Sequence, residues 1–312
     1  MLKEQILKGQ RIGIFGKGGS GKSTVTVFLA KALRKAGYEV CVLDADSTNI
    51  GLSKALGIEP PPSPLLDYFG GMVFSGGAVT CPVDDPTPLA GADVDIEDLP
   101  SEYCGRSPDS IRFFIAGKMG DKGPGAGCDG PIAKIARDFS PQFEGEQPVT
   151  LVDFKAGFED SARGNIVSLD WIVVVIDPTT AAVEMAINMK EMVEQLKAGR
   201  LPAIAHLEYP KLIKIAYQMY RDANVKGVLF ILNRVRDDLT EQFLRDKLAE
   251  NGIKPLGVIH DTPAISMAWL MGESLINTSA QREAELILQS IETIDNVYTN
   301  SEGEAHELQV AD

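Results

Sequence analysis

The 312-residue chain contains little cysteine, tryptophan and histidine, and it has no long run of apolar residues. Its 4 cysteines are too few for a disulfide framework in a chain of this length, so we expect free thiols or metal ligands. No stretch approaches the roughly 18 uninterrupted apolar residues of a membrane-spanning helix. Since the N-terminal residues also lack the apolar segment and cleavage site of a signal peptide, we expect a cytoplasmic protein with no membrane partner.

Positive charge is also scarce. The chain has 30 Lys and Arg residues against 44 Asp and Glu residues, which gives a formal net charge of −14. A chain this acidic has no global electrostatic attraction to DNA, RNA or anionic lipid, so nucleic acid is not an expected partner. Hydrophobic residues at 44% and charged residues at 24% are typical of a soluble globular protein, and the length allows one large α/β domain or two small ones.

Apolar, β-branched runs alternate with amphipathic stretches along the chain. Near-continuous apolar runs suit strands that are buried on both faces of a parallel sheet. The alternation of strands and helices predicts an α/β fold with a doubly wound, mostly parallel sheet flanked by helices. We expect a single domain over residues 1–300 and an acidic, frayed tail over residues 301–312. The predicted strands are Arg11–Phe15, Glu39–Asp44, Ile111–Ala116, Val149–Asp153, Trp171–Asp177, Gly227–Asn233 and Leu256–His260, and the predicted helices are Lys22–Ala36, Ala181–Leu196, Thr240–Asn251 and Ala280–Val297.

Three segments interrupt this alternation. Half of the chain's 18 prolines lie within residues 60–108, which predicts a long surface excursion with little regular structure. That excursion is either a plain insertion or a partner-binding loop. Residues 117–130, GKMGDKGPGAGCDG, form a glycine-rich loop that carries Cys128. Residues 201–226 predict an extra helix, whose few basic residues are expected to face solvent.

Residues 16–23, GKGGSGKS, match the phosphate-binding pattern G-x-x-x-x-G-K-[ST] between a predicted strand and a predicted helix. Glycines allow the backbone to wrap a phosphate, and amides at the start of a helix attract anions. We expect Lys22 to neutralise the β- and γ-phosphates of a nucleotide and the Ser23 hydroxyl to ligate Mg²⁺. The predicted nucleotide contacts in this loop are Gly16, Lys17, Gly18, Gly19, Ser20, Gly21, Lys22, Ser23 and Thr24.

Lys17 is a second lysine inside the loop, which a standard phosphate loop does not need. The pattern KGG-x-GK[ST] resembles the deviant Walker A loop of the MinD/ParA/nitrogenase-iron-protein ATPase superfamily. That resemblance implies a P-loop NTPase fold and a homodimer that encloses nucleotide between its subunits. It also implies that Lys17 completes the partner's active site, as an arginine finger does. ATP hydrolysis would then depend on dimerisation and would couple nucleotide state to the shape of the dimer.

Two further segments and one strand end agree with this resemblance. LDADSTN resembles the superfamily's switch I, which implies that Asp46 orients or activates the attacking water and is a ligand of Mg²⁺. Asp44 supports the magnesium site, holds that loop or caps a helix. VTLVDFKAG resembles the Walker B and switch II segment, in which Asp153 holds Mg²⁺ and the Gly157 amide senses the γ-phosphate. Asn233, at the end of a later strand, is expected to bond adenine. The implied cofactors are ATP or ADP and Mg²⁺.

The segment DFKAGFEDSARG resembles switch II of the CooC-type nickel-insertion ATPases of carbon monoxide dehydrogenase maturation, except that Asp160 replaces the family's histidine. In those ATPases a Cys-x-Cys pair from each of two subunits binds Ni²⁺ or Zn²⁺ at the dimer interface. Here GAGCDGP retains Cys128, but Gly130 replaces the second cysteine. The resemblance implies a nickel or zinc site with Cys128 as a ligand, and the alternative is a free thiol. Two thiolates per dimer do not fill a four-coordinate site, so the remaining ligands are sought among Cys104, Cys81, Asp129 and solvent.

The sequence therefore predicts an ATP hydrolase that acts as an ATP-gated maturation factor for a client metalloenzyme of the carbon monoxide dehydrogenase or acetyl-CoA synthase type. Two alternatives stay open. One is a positioning switch like ParA or MinD, without a transition metal. The other is an electron donor like the nitrogenase iron protein, although no cysteine follows Asp153 to build that protein's cluster. Cys41 lies inside an apolar strand and is expected in the core.

Overall fold

The computed structural model describes residues 5–118, 128–200 and 202–310, with the side chains of Ala162 and of residues 301–310 left aside. The strands are β1 (Arg11–Gly16), β2 (Val40–Asp44), β3 (Asp93–Asp95), β4 (Gly105–Arg106), β5 (Arg112–Ile115), β6 (Ser140–Gln142), β7 (Val149–Asp153), β8 (Trp171–Ile176), β9 (Gly227–Val235) and β10 (Gly257–His260). The helices are α1 (Lys22–Lys35), α2 (Leu52–Ala55), α3 (Leu65–Tyr68), α4 (Gly130–Asp138), α5 (Glu159–Ala162), α6 (Thr180–Lys197), α7 (Pro210–Asp222), α8 (Asp238–Ala249), α9 (Pro263–Met271) and α10 (Thr278–Val310).

Eight of these strands form one sheet in the order β10-β9-β8-β1-β7-β2-β5-β4. All of its pairs are parallel except the edge pair of β4 and β5. This arrangement confirms the predicted doubly wound, mostly parallel sheet. Because β1 lies between β7 and β8, with β2 beside β7, the carboxyl ends of these strands meet at one edge of the sheet. Ligand sites of open α/β sheets lie at such an edge.

Helices cover both faces of the sheet. Alternate residues of β2 belong to two different apolar clusters, because successive side chains of a strand point to opposite faces. Leu33 of α1 and Ile287 of α10 belong to the cluster on one face, and Ile135 of α4 and Met189 of α6 belong to the cluster on the other. The strands are near-continuous apolar runs because they are buried from both sides.

The proline-rich segment over residues 60–108 corrects the prediction of a surface excursion. Its regular structure is sparse, as expected, but its apolar side chains pack into the core. β3 of this segment pairs in parallel with β6, outside the main sheet. Prolines and glycines prevent long helices and strands in this segment, but its scattered apolar side chains are still buried against the core. The buried residues of the segment include Leu65, Leu66, Met72, Val79, Val94, Ile96 and Leu99.

Two other predictions concern the C-terminal third. The extra helix is confirmed as α7, and its basic residues Lys211, Lys214 and Arg221 are exposed. The backbone of α10 continues as a helix to Val310, through most of the segment predicted as an acidic tail. Within the described ranges, no helix is both long and apolar enough to cross a membrane.

Candidate functional site

The phosphate-binding loop joins the carboxyl end of β1 to the start of α1. Gly21 precedes the helix with a φ of +87°, in the left-handed region that glycine adopts at little cost. A Cβ on Gly21 would lie 2.1 Å from the amide nitrogen of Asn233, so this position has no room for a side chain. Lys22 begins the helix and is buried. The loop therefore has the shape and the charge that an anion at a helix N-terminus needs.

A cavity of about 560 Å³ opens beside this loop. Gly18, Gly19, Gly21, Lys22, Ser23, Thr24, Asp46 and Asn233 line it, so the structure brings most of the predicted site residues together. Asp153 lies directly below, in hydrogen-bond contact with Ser23. Gly16, Lys17, Ser20 and Gly157 are outside the lining. Gly157 instead donates its amide to the Gly16 carbonyl at 3.3 Å.

Ser23, Asp153 and Asn49 form the candidate magnesium site. The Ser23 hydroxyl donates to Asp153 Oδ2 at 2.6 Å and accepts from the Asn49 amide nitrogen at 2.9 Å. Oδ1 of Asp153 is buried and has no hydrogen-bond partner among the described residues. An unsatisfied carboxylate oxygen beside a hydroxyl is the oxygen donor set that Mg²⁺ prefers. The residues present therefore fit the predicted ion.

Burial raises the pKa of Asp153 from 3.8 to about 6, although the bond from Ser23 and the charge of Lys22 lower it. The carboxyl group thus stabilises the fold when protonated, and that contribution is lost as pH rises from about 4 through about 6. We expect Asp153→Asn to raise the free energy of unfolding of the nucleotide-free, Mg²⁺-free protein at pH 7.5 by about 1–3 kcal/mol. Urea unfolding at pH 5 and pH 7.5 measures this, with exposed Asp98→Asn as the control. A less stable Asp153→Asn protein at pH 7.5 would contradict it.

A second buried carboxylate, Asp44, stands beside Asp153 in the sheet register. Burial raises the pKa of Asp44 to about 7, with Lys118 opposing and Asp153 adding to the rise. Lys118 Nζ donates to Asp44 Oδ2 at 2.7 Å and to the Asp46 carbonyl at 2.6 Å. Asp44 Oδ1 in turn accepts the Asp46 amide. Asp44 and Lys118 together hold the backbone on which Asp46 stands.

Asp46 is partly exposed at the cavity wall. Its Oδ1 accepts from the Thr48 amide at 2.9 Å and from the Thr48 hydroxyl at 2.7 Å. Within the ranges that the structure covers, Oδ2 accepts no hydrogen bond. One oxygen is thus held by the loop while the other is available to a water molecule.

Several site residues were not identified from the sequence. Trp269 of α9 lines the cavity and donates its indole N–H to the Thr24 hydroxyl at 2.9 Å. Arg234 donates to the Gly19 carbonyl at 2.7 Å, and Asn233 donates to the Ser20 carbonyl at 2.7 Å. Asn233 therefore holds the phosphate loop in addition to its predicted place at the base. Arg234 could have been identified from the sequence, because it directly follows the predicted nucleotide contact Asn233 near the end of the same strand.

Two lysines connect the ends of the glycine-rich loop to the switch segments. Lys118, at its beginning, donates to Asp44 in switch I, as described above. Lys155, which follows β7 in switch II, donates to Asp129 Oδ2 at 2.6 Å at the loop's end. Residues 119–127 between these ends lie outside the described residues. The Cys128 side of the loop is thereby tied to the segment that would sense the γ-phosphate.

The four thiols lie in different surroundings. Cys41 is fully buried in β2, which confirms the core prediction, and Cys81 is also buried. Cys128 is exposed, next to Asp129. Cys104 contacts the Gly105 carbonyl in the antiparallel edge pair, near the beginning of β5, so the structure does not bring it to Cys128. Within residues 5–118, 128–200 and 202–310, no group of three or more His, Cys, Asp and Glu side chains is arranged to hold a metal ion.

Comparisons with known proteins agree with this geometry. The family model described as CobQ/CobB/MinD/ParA nucleotide binding domain matches residues 14–275. An uncharacterized ATP-binding protein of Methanocaldococcus jannaschii, MJ0084, is 31% identical over 267 residues, which are 85% of this chain and 93% of that protein. The carbon monoxide dehydrogenase accessory protein CooC of Rhodospirillum rubrum is 26% identical over 197 residues, 63% of this chain and 73% of that protein.

Solved structures share the fold. The cell division ATPase MinD of Pyrococcus furiosus superposes with a TM-score of 0.54 at 19% identity, covering 92% of this chain and 99% of that one. The septum site-determining protein MinD of Pyrococcus horikoshii, complexed with Mg-ADP, has a TM-score of 0.55 at 18% identity, with 93% and 98% covered. At these identities the likeness extends to the arrangement of strands and helices.

Proposed function

Because this chain belongs to the CobQ/CobB/MinD/ParA nucleotide-binding domain family, we propose that it is a Mg²⁺-dependent ATPase that acts as an ATP-gated maturation factor for a metalloenzyme. The observation that carries the proposal is the pair of lysine contacts that join the Cys128 loop to the nucleotide-sensing segments. A change at the γ-phosphate moves those segments, and the contacts transmit it to the thiol.

The catalytic groups have separate tasks. The amides of the phosphate loop and Lys22 bind the ATP phosphates, while Asp153 and Ser23 hold Mg²⁺, which supplies positive charge at the phosphate oxygens when bound. Asp46 orients the attacking water and accepts its proton through the unoccupied Oδ2. Lys17 of a second copy neutralises the charge that develops on the transferred phosphoryl group. Asn233 contacts the base.

Apolar side chains around the cavity support a homodimer that closes over the nucleotide. Ile50 follows switch I and is 85% exposed. Met267 and Leu270 are exposed on α9, whose Trp269 lines the cavity. Large apolar residues exposed around a ligand site are typical of an interaction surface. A second copy would cover these residues and bring its Lys17 to the phosphates.

The cargo and client follow from the relative named as a carbon monoxide dehydrogenase accessory protein. We propose Ni²⁺ or Zn²⁺ as cargo, carried at the dimer interface by Cys128 of each copy, and a client of the carbon monoxide dehydrogenase type. A positioning switch without a transition metal is the second candidate. It is favoured by the finding that one chain, over its described residues, offers no group of three metal ligands.

The first test is Ni²⁺ and Zn²⁺ titration of anaerobically purified protein, with molar mass followed by light scattering with and without Mg-ATP. We expect a dimer with ATP that binds about one ion per two chains, as an ion shared by the two Cys128 thiolates at the dimer interface requires, and loss of that ion in Cys128→Ser. An ATP-dependent dimer that binds no ion at any ATP concentration would instead identify the nucleotide switch. A protein that stays monomeric with ATP would contradict the homodimer.

A further inference from the structure

Cys81 lies where a side chain at position 130 would lie. A Cβ built on Gly130 would be 2.6 Å from Cys81 Sγ and 2.7 Å from Cys81 Cβ, closer than real carbon atoms approach. The Cys81 thiol therefore takes the space beside residue 130, and only glycine at that position leaves room for it. Since Cys128 is two residues earlier, two cysteines from distant parts of the chain both lie at the start of α4.

Electrostatics agree with this proximity. Burial raises the pKa of the Cys81 thiol, and the charges of Asp84 and Cys128 add to the rise. Cys128 is exposed, whereas Cys81 is 9% exposed beneath it. The sulfur of Cys128 is thus accessible to an ion from solvent, whereas the sulfur of Cys81 is buried.

The segment that carries Cys81 is fixed to the helix that follows Cys128. Lys134 of α4 is buried, and its Nζ donates to the Thr80 hydroxyl at 2.7 Å and to the Asp85 carbonyl at 3.1 Å. The Asp85 amide in turn donates to the Cys81 carbonyl at 2.9 Å. Thr80, Cys81 and Asp85 are therefore anchored to α4, so the position of Cys81 relative to residue 130 is built into the fold.

The other three candidate ligands, Asp129, Cys41 and Cys104, are engaged elsewhere. Asp129 is paired with Lys155 at 2.6 Å, which makes it a weak candidate ligand. Cys41 is enclosed in the sheet, and Cys104 contacts Gly105 at its edge. Cys81 and Cys128 are thus the two thiols that the described residues place at the start of α4.

We propose that Cys81 and Cys128 together form a two-thiolate half-site for a thiophilic divalent cation, Zn²⁺ or Ni²⁺, which two copies of the chain complete to four sulfurs. The inference rests on the proposed function in its use of a second copy. Each thiol releases one proton as its sulfur binds the ion, and no electron is transferred. Four thiolates in a tetrahedron suit Zn²⁺, and soft sulfur ligands discriminate against Mg²⁺ at this position.

The test removes the thiol at position 81 and, in one variant, introduces a thiol at position 130 instead. Zn²⁺ and Ni²⁺ are titrated separately, under anaerobic conditions with Mg-ATP, into wild type, Cys81→Ser, Cys128→Ser, Cys104→Ser and the double variant Cys81→Gly/Gly130→Cys, in which glycine at position 81 removes both atoms that would clash with a side chain at position 130. We expect Cys81→Ser and Cys128→Ser each to weaken the affinity by more than the roughly 10–100-fold typical of losing an outer-shell partner. Cys104→Ser binds as wild type. The double variant recovers most of the affinity, because its new thiol lies in the space that Cys81 leaves.

Each outcome has one meaning. ATP affinity and thermal unfolding of every variant show that the fold is intact, and a misfolded Cys81→Ser protein is replaced in the comparison by Cys81→Ala, which also lacks the thiol. Wild-type affinity in Cys81→Ser, with loss in Cys128→Ser, would overturn the role of Cys81 and leave the cargo proposal standing. Absence of ion binding by the wild type would overturn both.

Discussion

Replacing Lys17 by alanine is expected to lower the rate of ATP hydrolysis by about 10³–10⁵-fold, the range found for arginine fingers, while ATP affinity stays within a few-fold of wild type. Lys17 lies outside the residues that line the nucleotide cavity, and over the described part of the chain its ammonium group makes no hydrogen bond or ion pair. Because of this placement, we expect the ammonium group of Lys17 to act on the phosphates of a partner subunit rather than on those of its own subunit.

Replacing Lys17 is therefore expected to change the rate of ATP hydrolysis without changing the affinity for ATP. ATP binding depends on the loop amides and on Lys22, which are unchanged in Lys17→Ala. Lys22→Ala is the matched control, because it removes the lysine that lines the cavity and is expected to weaken binding itself. A fluorescent ATP analogue measures affinity, and phosphate release measures turnover. Normal hydrolysis by Lys17→Ala would contradict the cross-subunit mechanism.

The sequence was sufficient for the sheet and the phosphate loop. β1, β2 and β7 begin and end within a residue of their predicted bounds, because buried parallel strands are continuous apolar runs between polar segments. The phosphate loop could be identified because glycine, lysine and serine at this fixed spacing are what a phosphate-binding turn between a strand and a helix requires. Ser23 lies beside Asp153 because β1 and β7 are neighbours in the sheet, and the resemblance had implied a shared Mg²⁺ site for the two residues.

Other parts of the site depend on contacts between residues far apart in the chain. Trp269 reaches Thr24 across 245 positions, and Lys118 reaches Asp44 across 74. No short sequence motif links the two residues of either pair, so neither contact could be predicted. The burial of residues 60–108 was missed for the opposite reason: proline and glycine content describes backbone regularity, whereas burial depends on the apolar residues between them. The meeting of Cys81 with Gly130 follows from that burial.

Asp46→Asn is expected to lower hydrolysis by about 10²–10⁴-fold, as the loss of a general base does, with little change in ATP affinity. Asparagine has the size of aspartate, and its carbonyl oxygen can still accept the two bonds from Thr48. The loop geometry is thus retained while the charge that accepts a proton is removed. Thr48→Val, which deletes only the hydroxyl contact, is the control and is expected to have a smaller effect. A steady-state assay at saturating Mg-ATP compares the three proteins.

Mixing the two inactive variants separates action within one subunit from action across the dimer. If Lys17 serves the partner's site, a mixed dimer of Lys17→Ala and Asp46→Asn contains one site with both an intact Asp46 and an intact partner Lys17. Random exchange of subunits is then expected to restore roughly a quarter of wild-type activity, since about half of the dimers are mixed and each has one working site. If Lys17 served its own subunit, every site in the mixture would lack one group. The mixture would then stay as inactive as its components.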